Sequence, residues 1–234
     1  MWGFVDCTRY YRSFGVTKVV LDRASLVVAT TEKLGLLIPA GQGKSTIIRM
    51  LSGVDRPNSG EVLRDGGGWP LGYAGALRPD MTGEDNILVL ASLVGVDPLR
   101  FSAFCLEFSE LSDAYYHPIS AWTGRMRARL AFAASFGIPA STYLADDKIG
   151  TGERDFHEKC VAALEQRLKT AGLILVASNP RVTETICETH AIVSRGKIIR
   201  CRSHEEAREL FEMNNLQGGN EEIADDELAS FDLA

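Results

Sequence analysis

No stretch of about 18 consecutive apolar residues occurs in the 234-residue chain, so no segment is expected to cross a membrane as a helix. The first residues, Met1-Trp2-Gly3-Phe4-Val5-Asp6, lack a basic stretch followed by an apolar one, which argues against a secretory leader. No CxxC pair is present. The five cysteines (Cys7, Cys105, Cys160, Cys187 and Cys201) are scattered and odd in number. Reduced cytosolic thiols are therefore expected rather than a disulfide framework or a zinc site. There is no excess of basic charge either: 25 Lys and Arg face 31 Asp and Glu, a net charge of -6. Six of those acids (Glu221, Glu222, Asp225, Asp226, Glu227 and Asp232) lie beyond Asn214, where no Lys or Arg occurs. The body is thus balanced, and nucleic acid is not expected as a partner. The acidic end, residues 214–234, reads as a solvated, disordered tail. Internal repeats are absent.

What is present is ordinary globular composition, with 45% hydrophobic and 24% charged residues. The length suits one large domain, or a domain carrying an inserted lobe. Leu34-Gly35-Leu36-Leu37-Ile38 reads as a buried strand. A turn-rich loop, Pro39 to Gly43, follows it, and Lys44 to Leu51 reads as a helix stopped by Gly53. Thr82-Gly83-Glu84-Asp85 resembles a capping box that opens a helix to about Val94. A second helix is expected over Arg125 to Phe136, so the middle section is mostly helical. Ser141 to Ala145 reads as a strand ending in Asp146-Asp147, and Phe156 to Lys169 has helical periodicity. Further strands are expected at Leu173 to Ala177 and Ala191 to Val193, with a last short helix capped by Ser203 and Glu206. Strands alternating with helices predict a mainly parallel sheet.

The loop Gly41-Gln42-Gly43-Lys44-Ser45-Thr46 carries the clearest chemistry. Glycines let backbone N–H groups approach phosphate oxygens, and the following helix points its positive end at the anion. Lys44 supplies a point charge for the β- and γ-phosphates, and the Ser45 hydroxyl is placed for Mg²⁺. An ordinary glycine turn is the plainer alternative. The full Walker pattern starts with a glycine five residues before Gly43, where this chain has Ile38. Asp146, at the end of a parallel strand, is placed to hold Mg²⁺ near the phosphate loop.

Gly72-Tyr73-Ala74-Gly75, Met81 to Asn86, Arg127 to Phe132 and Tyr143 to Asp147 together resemble ABC transporter ATPases. Trp69-Pro70-Leu71-Gly72 and Met126 to Phe132 resemble the capsular polysaccharide export subfamily in particular. The resemblance covers residues 1 to about 210. It implies an α/β P-loop NTPase of the ABC ATPase type: a mainly parallel sheet core over 1–213 with an inserted helical lobe at about 72–139. It also implies ATP and Mg²⁺ as cofactors, with Pro39, Ala40, Gly41, Gln42, Gly43, Lys44, Ser45 and Thr46 around the phosphates. Tyr11 falls where the family stacks an aromatic on adenine; a plain strand aromatic is the alternative. Thr123, Gly124, Arg125 and Met126 fall at the signature position that contacts ATP held by a partner subunit. Asp147 and Asn179 fall at the positions of the catalytic glutamate and the switch histidine.

The resemblance also exposes departures. The glutamine that contacts Mg²⁺ and water aligns with Arg78, the second signature glycine with Arg125, and the D-loop aspartate with Glu153. Asp147 is shorter than glutamate by one methylene, ~1.5 Å. Two readings stay open: an ATP hydrolase driving polysaccharide export, and a nucleotide-binding regulatory subunit with little turnover beside a competent ATPase. Either implies a transmembrane permease subunit, a second ATP-binding subunit (homo- or heterodimer), and a peripheral place on the cytoplasmic face of the inner membrane.

Overall fold

The chain opens with two long strands that periodicity in the sequence does not announce, β1 (Trp2–Ser13) and β2 (Val16–Val28). The computed structural model describes residues 1–13, 16–66, 70–72, 75, 77–147, 149–150, 153–216 and the backbone of 222–224. Trp69, Tyr73 and Ala74, which carry part of the family resemblance, lie outside the described residues. β1 pairs antiparallel with β2 and, on its other edge, with β4 (Ser59–Leu63). β2 also pairs with β9 (Glu222–Ala224), giving the order β4-β1-β2-β9.

The second sheet has the order β5-β6-β3-β7-β8. Its members are β3 (Lys33–Leu37), β5 (Thr142–Asp146), β6 (Gly172–Ala177), β7 (Thr189–Ser194) and β8 (Lys197–Cys201). The first four run parallel and β8 is an antiparallel edge. β6 is buried at every position. A strand covered on both faces loses its alternation and reads as one apolar run, which is why Leu173 to Ala177 was legible. α1 (Lys44–Leu51), α6 (Pro180–Glu184) and α7 (His204–Leu216) belong with these sheets.

The chain divides into two compact units: Met1–Gly68 with Ser141–Asp147 and Ala171–Ala234, and Trp69–Ala140 with Lys148–Thr170. The second unit contains α2 (Gly83–Val94), α3 (Pro98–Ser109), α4 (Gly124–Gly137) and α5 (Arg154–Arg167). It therefore takes in α5 as well as the expected lobe at about 72–139. The reason is aromatic packing: the Phe156 ring of α5 meets Phe108 of α3 edge-on at 6.0 Å, and Phe108 stacks with Phe132 of α4 at the same separation. The capping box forms, with Thr82 accepting from Asp85 N and the Asp85 carboxylate reaching back to Thr82 N.

The expected tail at 214–234 needs correction at its start. α7 continues to Leu216, and buried Asn214 donates to Val193 O at 3.2 Å. The absence of Lys and Arg marks a charge boundary here, whereas the buried face through Ala207, Phe211 and Asn214 sets the structural one. Residues 222–224 form strand β9, and the rest of the tail lies outside the described residues. All five cysteines are unbridged, and burial pushes the Cys7 thiol up to about 11.

Candidate functional site

The phosphate loop begins where β3 ends. Ile38 continues the ladder by donating to Ala177 O at 2.9 Å, and its side chain is fully buried in the core. The residue that replaces the first Walker glycine is therefore absorbed by packing, without a left-handed backbone. Gln42 N donates to Pro39 O at 3.1 Å and closes the turn, while Ala40 and Gly41 face outward. Gly41 and Gly43 have φ of +80° and +95°. A Cβ on Gly43 would also lie 2.5 Å from Val20 Cγ1, so both backbone and packing require glycine there.

Gly43 caps α1 without any side-chain hydrogen bond, and no acid sits in the first turn. The positive end of the helix is left to whatever anion the loop receives. Ser45 is exposed at this end, whereas Thr46 is buried, its Oγ1 3.0 Å from the Tyr11 hydroxyl. Tyr11, Lys18, Val20, Gly41 and the residues from Gly43 to Thr46 line a pocket of about 340 Å³.

Lys44 lies across the ends of adjacent parallel strands. Its Nζ is 2.8 Å from Asp146 Oδ1 and also bonds Asp147 Oδ2. Ser178, just past β6, donates to Asp147 from both its N–H and its hydroxyl at 2.6 Å. Burial opposes charge on Asp147, yet bonds from Lys44 and Ser178 hold its carboxyl below the ordinary aspartate value. Burial likewise opposes the Lys44 ammonium, and the two carboxylates keep it above the ordinary lysine value. The arrangement presents backbone donors, one lysine and two carboxylates at the carboxyl edge of a parallel sheet, where open α/β folds bind ligands.

Asn179 stands apart from this cluster. It is exposed, and its side-chain oxygen accepts from Arg181 N to cap α6. Sequence reasoning passed over Ser178, although a polar residue ending an apolar strand was a usable signal. It also passed over Lys18, which nothing in the local pattern marks.

In the helical unit, Thr123 caps α4 by accepting from Met126 N at 3.3 Å, and a Cβ on Gly124 would meet nothing within 4 Å. Arg125 bonds Glu153 at 2.8 Å, joining two positions where the chain departs from the family it resembles. These residues, with Met126, Glu110 and Arg129, line a second pocket of about 620 Å³. The Arg78 guanidinium is held by Asp80 through two bonds of 3.2 and 2.8 Å. The Arg78 backbone is clamped on both sides by Asn86.

The family profile described as "ABC transporter" matches residues 21–84. The ATP-binding protein BexA of Haemophilus influenzae is 37% identical over 81% of this chain and 88% of its own length. The chain belongs to the ATP-binding subunits of ABC transporters, in the capsular polysaccharide export subfamily. The capsule polysaccharide export ATP-binding protein CtrD of Neisseria meningitidis is 34% identical over 83% of this chain and 90% of its own. The polysialic acid transport ATP-binding protein KpsT of Escherichia coli is 28% identical over 83% and 88%. Among solved structures, a dimeric ATP-binding cassette, MJ0796, bound to ADP and Pi covers 87% of this chain with a TM-score of 0.72. At 18% identity that likeness shows the fold: an α/β ABC ATPase cassette with a mainly parallel sheet.

Proposed function

We propose that this ABC subunit binds ATP with Mg²⁺ at the Lys44 loop and couples that binding, with hydrolysis, to the export of capsular or other cell-surface polysaccharide. The observation that carries the reading is Lys44, held at the start of α1 between the strand-end carboxylates Asp146 and Asp147. Backbone N–H groups from Gly41 to Thr46 cradle the phosphates, Lys44 meets the β- and γ-phosphates, and Tyr11 faces the base. The Ser45 hydroxyl and the Asp146 carboxylate are hard oxygen donors of the kind Mg²⁺ takes with few protein ligands beside substrate phosphates, so the pair fits that ion. Bound there, Mg²⁺ neutralises charge on the phosphates. Asp147 occupies the position of the water-activating carboxylate and Asn179 that of the γ-phosphate contact.

Thr123 to Met126 meet the ATP held by a second ATP-binding subunit. A transmembrane permease anchors the pair at the cytoplasmic face of the inner membrane; no helix among the described residues is long and apolar enough to cross a membrane. The relatives' roles in capsule polysaccharide export and polysialic acid transport support this choice of cargo. The test has two parts. Lys44→Ala is expected to weaken ATP binding roughly ten- to a hundredfold, the loss of one charge-assisted phosphate contact. A strain deleted for this subunit should lose surface polysaccharide and regain it with the parent chain but not with Lys44→Ala. Unchanged affinity rejects the loop assignment, and unchanged surface polysaccharide on deletion rejects the cargo.

A further inference from the structure

Two cations line the nucleotide pocket, and they differ in how their charge is met. Lys44 is neutralised by two carboxylates. Lys18 has no carboxylate partner among the described residues; its Nζ donates to the carbonyl of Gly41 at 2.6 Å. Its place is fixed by the hairpin, because Lys18 is the direct cross-strand partner of Tyr11 in the β1–β2 register. Lys18 therefore starts beside the aromatic ring that faces the base and ends on the first glycine of the phosphate loop.

We propose that Lys18 is a nucleotide-binding residue that contacts the α-phosphate. The claim deepens the ATP-site reading above and rests on it. A nucleotide with its base at Tyr11 and its β- and γ-phosphates at Lys44 must lay its first phosphate between them. The Lys18 ammonium spans that interval. A carbonyl is a weak partner for an ammonium, and an incoming phosphate oxygen is a stronger one. Lys18 can exchange Gly41 O for phosphate without leaving a buried carbonyl unpaired, since Gly41 is exposed. As the lining cation that no carboxylate among the described residues meets, Lys18 also supplies the field that draws a polyphosphate toward the pocket.

The assignment separates Lys18 from Lys44 by phosphate number. Binding of ATP and ADP is measured by titration for the full chain, Lys18→Gln, Lys18→Arg and Lys44→Ala, at low and moderate salt. Lys18→Gln is expected to weaken ATP and ADP by the same factor, about five- to thirtyfold, the effect of one exposed charge-assisted contact. That loss should shrink as salt rises. Lys18→Arg should retain most of the affinity, and the melting temperature should not move, because the side chain is exposed. Equal affinity of Lys18→Gln and parent overturns the proposal, as does a loss for ATP that vanishes for ADP. If Lys44→Ala weakens binding and Lys18→Gln does not, only the Lys18 assignment falls. If neither does, the phosphate-loop reading falls with it. Lys18 also pairs in backbone register with Glu222 of β9. A Lys18→Gln loss that disappears in a Glu222→Gln background would assign the lysine to that strand and overturn the nucleotide contact.

Discussion

Replacing Asp147 by Asn should strengthen the binding of Mg²⁺-free ATP, although Asp147 is expected to serve the reaction. The reason lies in what Lys44 must release. Its ammonium is shared between Asp146 and Asp147, and a phosphate oxygen has to compete with both. Without a cation, the nucleotide also brings its own negative charge toward two carboxylates. Asp147→Asn preserves side-chain size and leaves an oxygen for the Ser178 N–H, which now meets Asp147 Oδ1 at 2.6 Å. It removes one charge that both attracts Lys44 and repels phosphate. A hydrogen bond to a charged group contributes about 1.5–3 kcal/mol. The low end applies here, because the Lys44 and Asp147 side chains are 20% and 26% exposed. The expected gain is about 1.5 kcal/mol, roughly tenfold in Kd.

Mg²⁺ should erase most of that gain, because the cation supplies countercharge to the same carboxylates. The assay is a fluorescent-ATP titration of parent and Asp147→Asn, once in EDTA and once with Mg²⁺. Acid unfolding gives an independent readout. The Asp147 carboxyl lies below its ordinary value in the fold. Its stabilising effect is therefore complete above the ordinary value and is lost as pH falls through the lowered one. Asp147→Asn should flatten that acid limb. An affinity in EDTA that is unchanged or weaker in Asp147→Asn would refute the competition argument.

Gly43→Ala should destabilise the α/β unit and weaken ATP binding, because φ of +95° and the Val20 contact both oppose a Cβ. Gly41→Ala, with φ of +80° but open space, should cost only the backbone penalty of about 1–2 kcal/mol, read by thermal unfolding. His190 is titrated downward first by burial and then by His204, whose ring centroid is 4.9 Å away. It stays neutral while the unfolded chain protonates, so stability should fall as pH drops below about 6.5 toward its lowered value, and His190→Gln should lessen that fall in pH-dependent melting. Glu153→Gln should change the melting temperature little, since the Arg125–Glu153 side chains are 74% and 63% exposed and such pairs contribute about 0–1 kcal/mol. Asp147→Glu with Asn179→His should raise steady-state phosphate release well beyond assay error, because general-base effects are worth about 10²–10⁴ in rate; no increase would reject a short carboxylate as the limit.

Much of the α/β core was legible because its signals are local. The apolar run before Pro39 and the run from Leu173 to Ala177 are strands buried on both faces, and Thr82 with Asp85 writes a helix start directly. β1 and β2 were not legible. Their burial patterns are irregular, with register shifts at Phe4/Cys7, Cys7/Arg9 and Arg9/Tyr10, so no clean period of two survives in the sequence. α3 was missed despite Asp97 as cap and Pro98 at its first position, because many of its residues are Ser, Cys or Phe rather than strong helix formers. The phosphate loop and Asp146 could be placed from chain order alone. Lys18 could not, since its partner Gly41 is 23 residues away, and Ser178 was signalled only as a polar residue ending an apolar strand, its partner Asp147 lying 31 residues away.

The departures from the family pattern differ in what they do physically. Ile38 is the one with a large energetic consequence, because a fully buried aliphatic side chain contributes about 1.5–3 kcal/mol by burial alone. A glycine there would open a cavity under the loop, so Ile38 stabilises the segment that leads into it. Arg78 and Arg125 are exposed and each has an acid partner, Asp80 and Glu153. Their charges are met locally at little energetic gain, which leaves both guanidinium groups easily redirected to a stronger anion. On the proposed reading, Asp147 is the departure that bears on rate. Its carboxylate is short, held by Lys44 and by both donors of Ser178, and kept below its ordinary pKa, all of which make it a weaker proton acceptor than a longer, freer glutamate. The same contacts that lower the basicity of Asp147 hold Lys44 in place at the phosphate loop. One cluster therefore sets both how readily Lys44 is released to a phosphate and how basic Asp147 is, and on the proposed reading a substitution that improves turnover should do so by loosening Lys44 from Asp147.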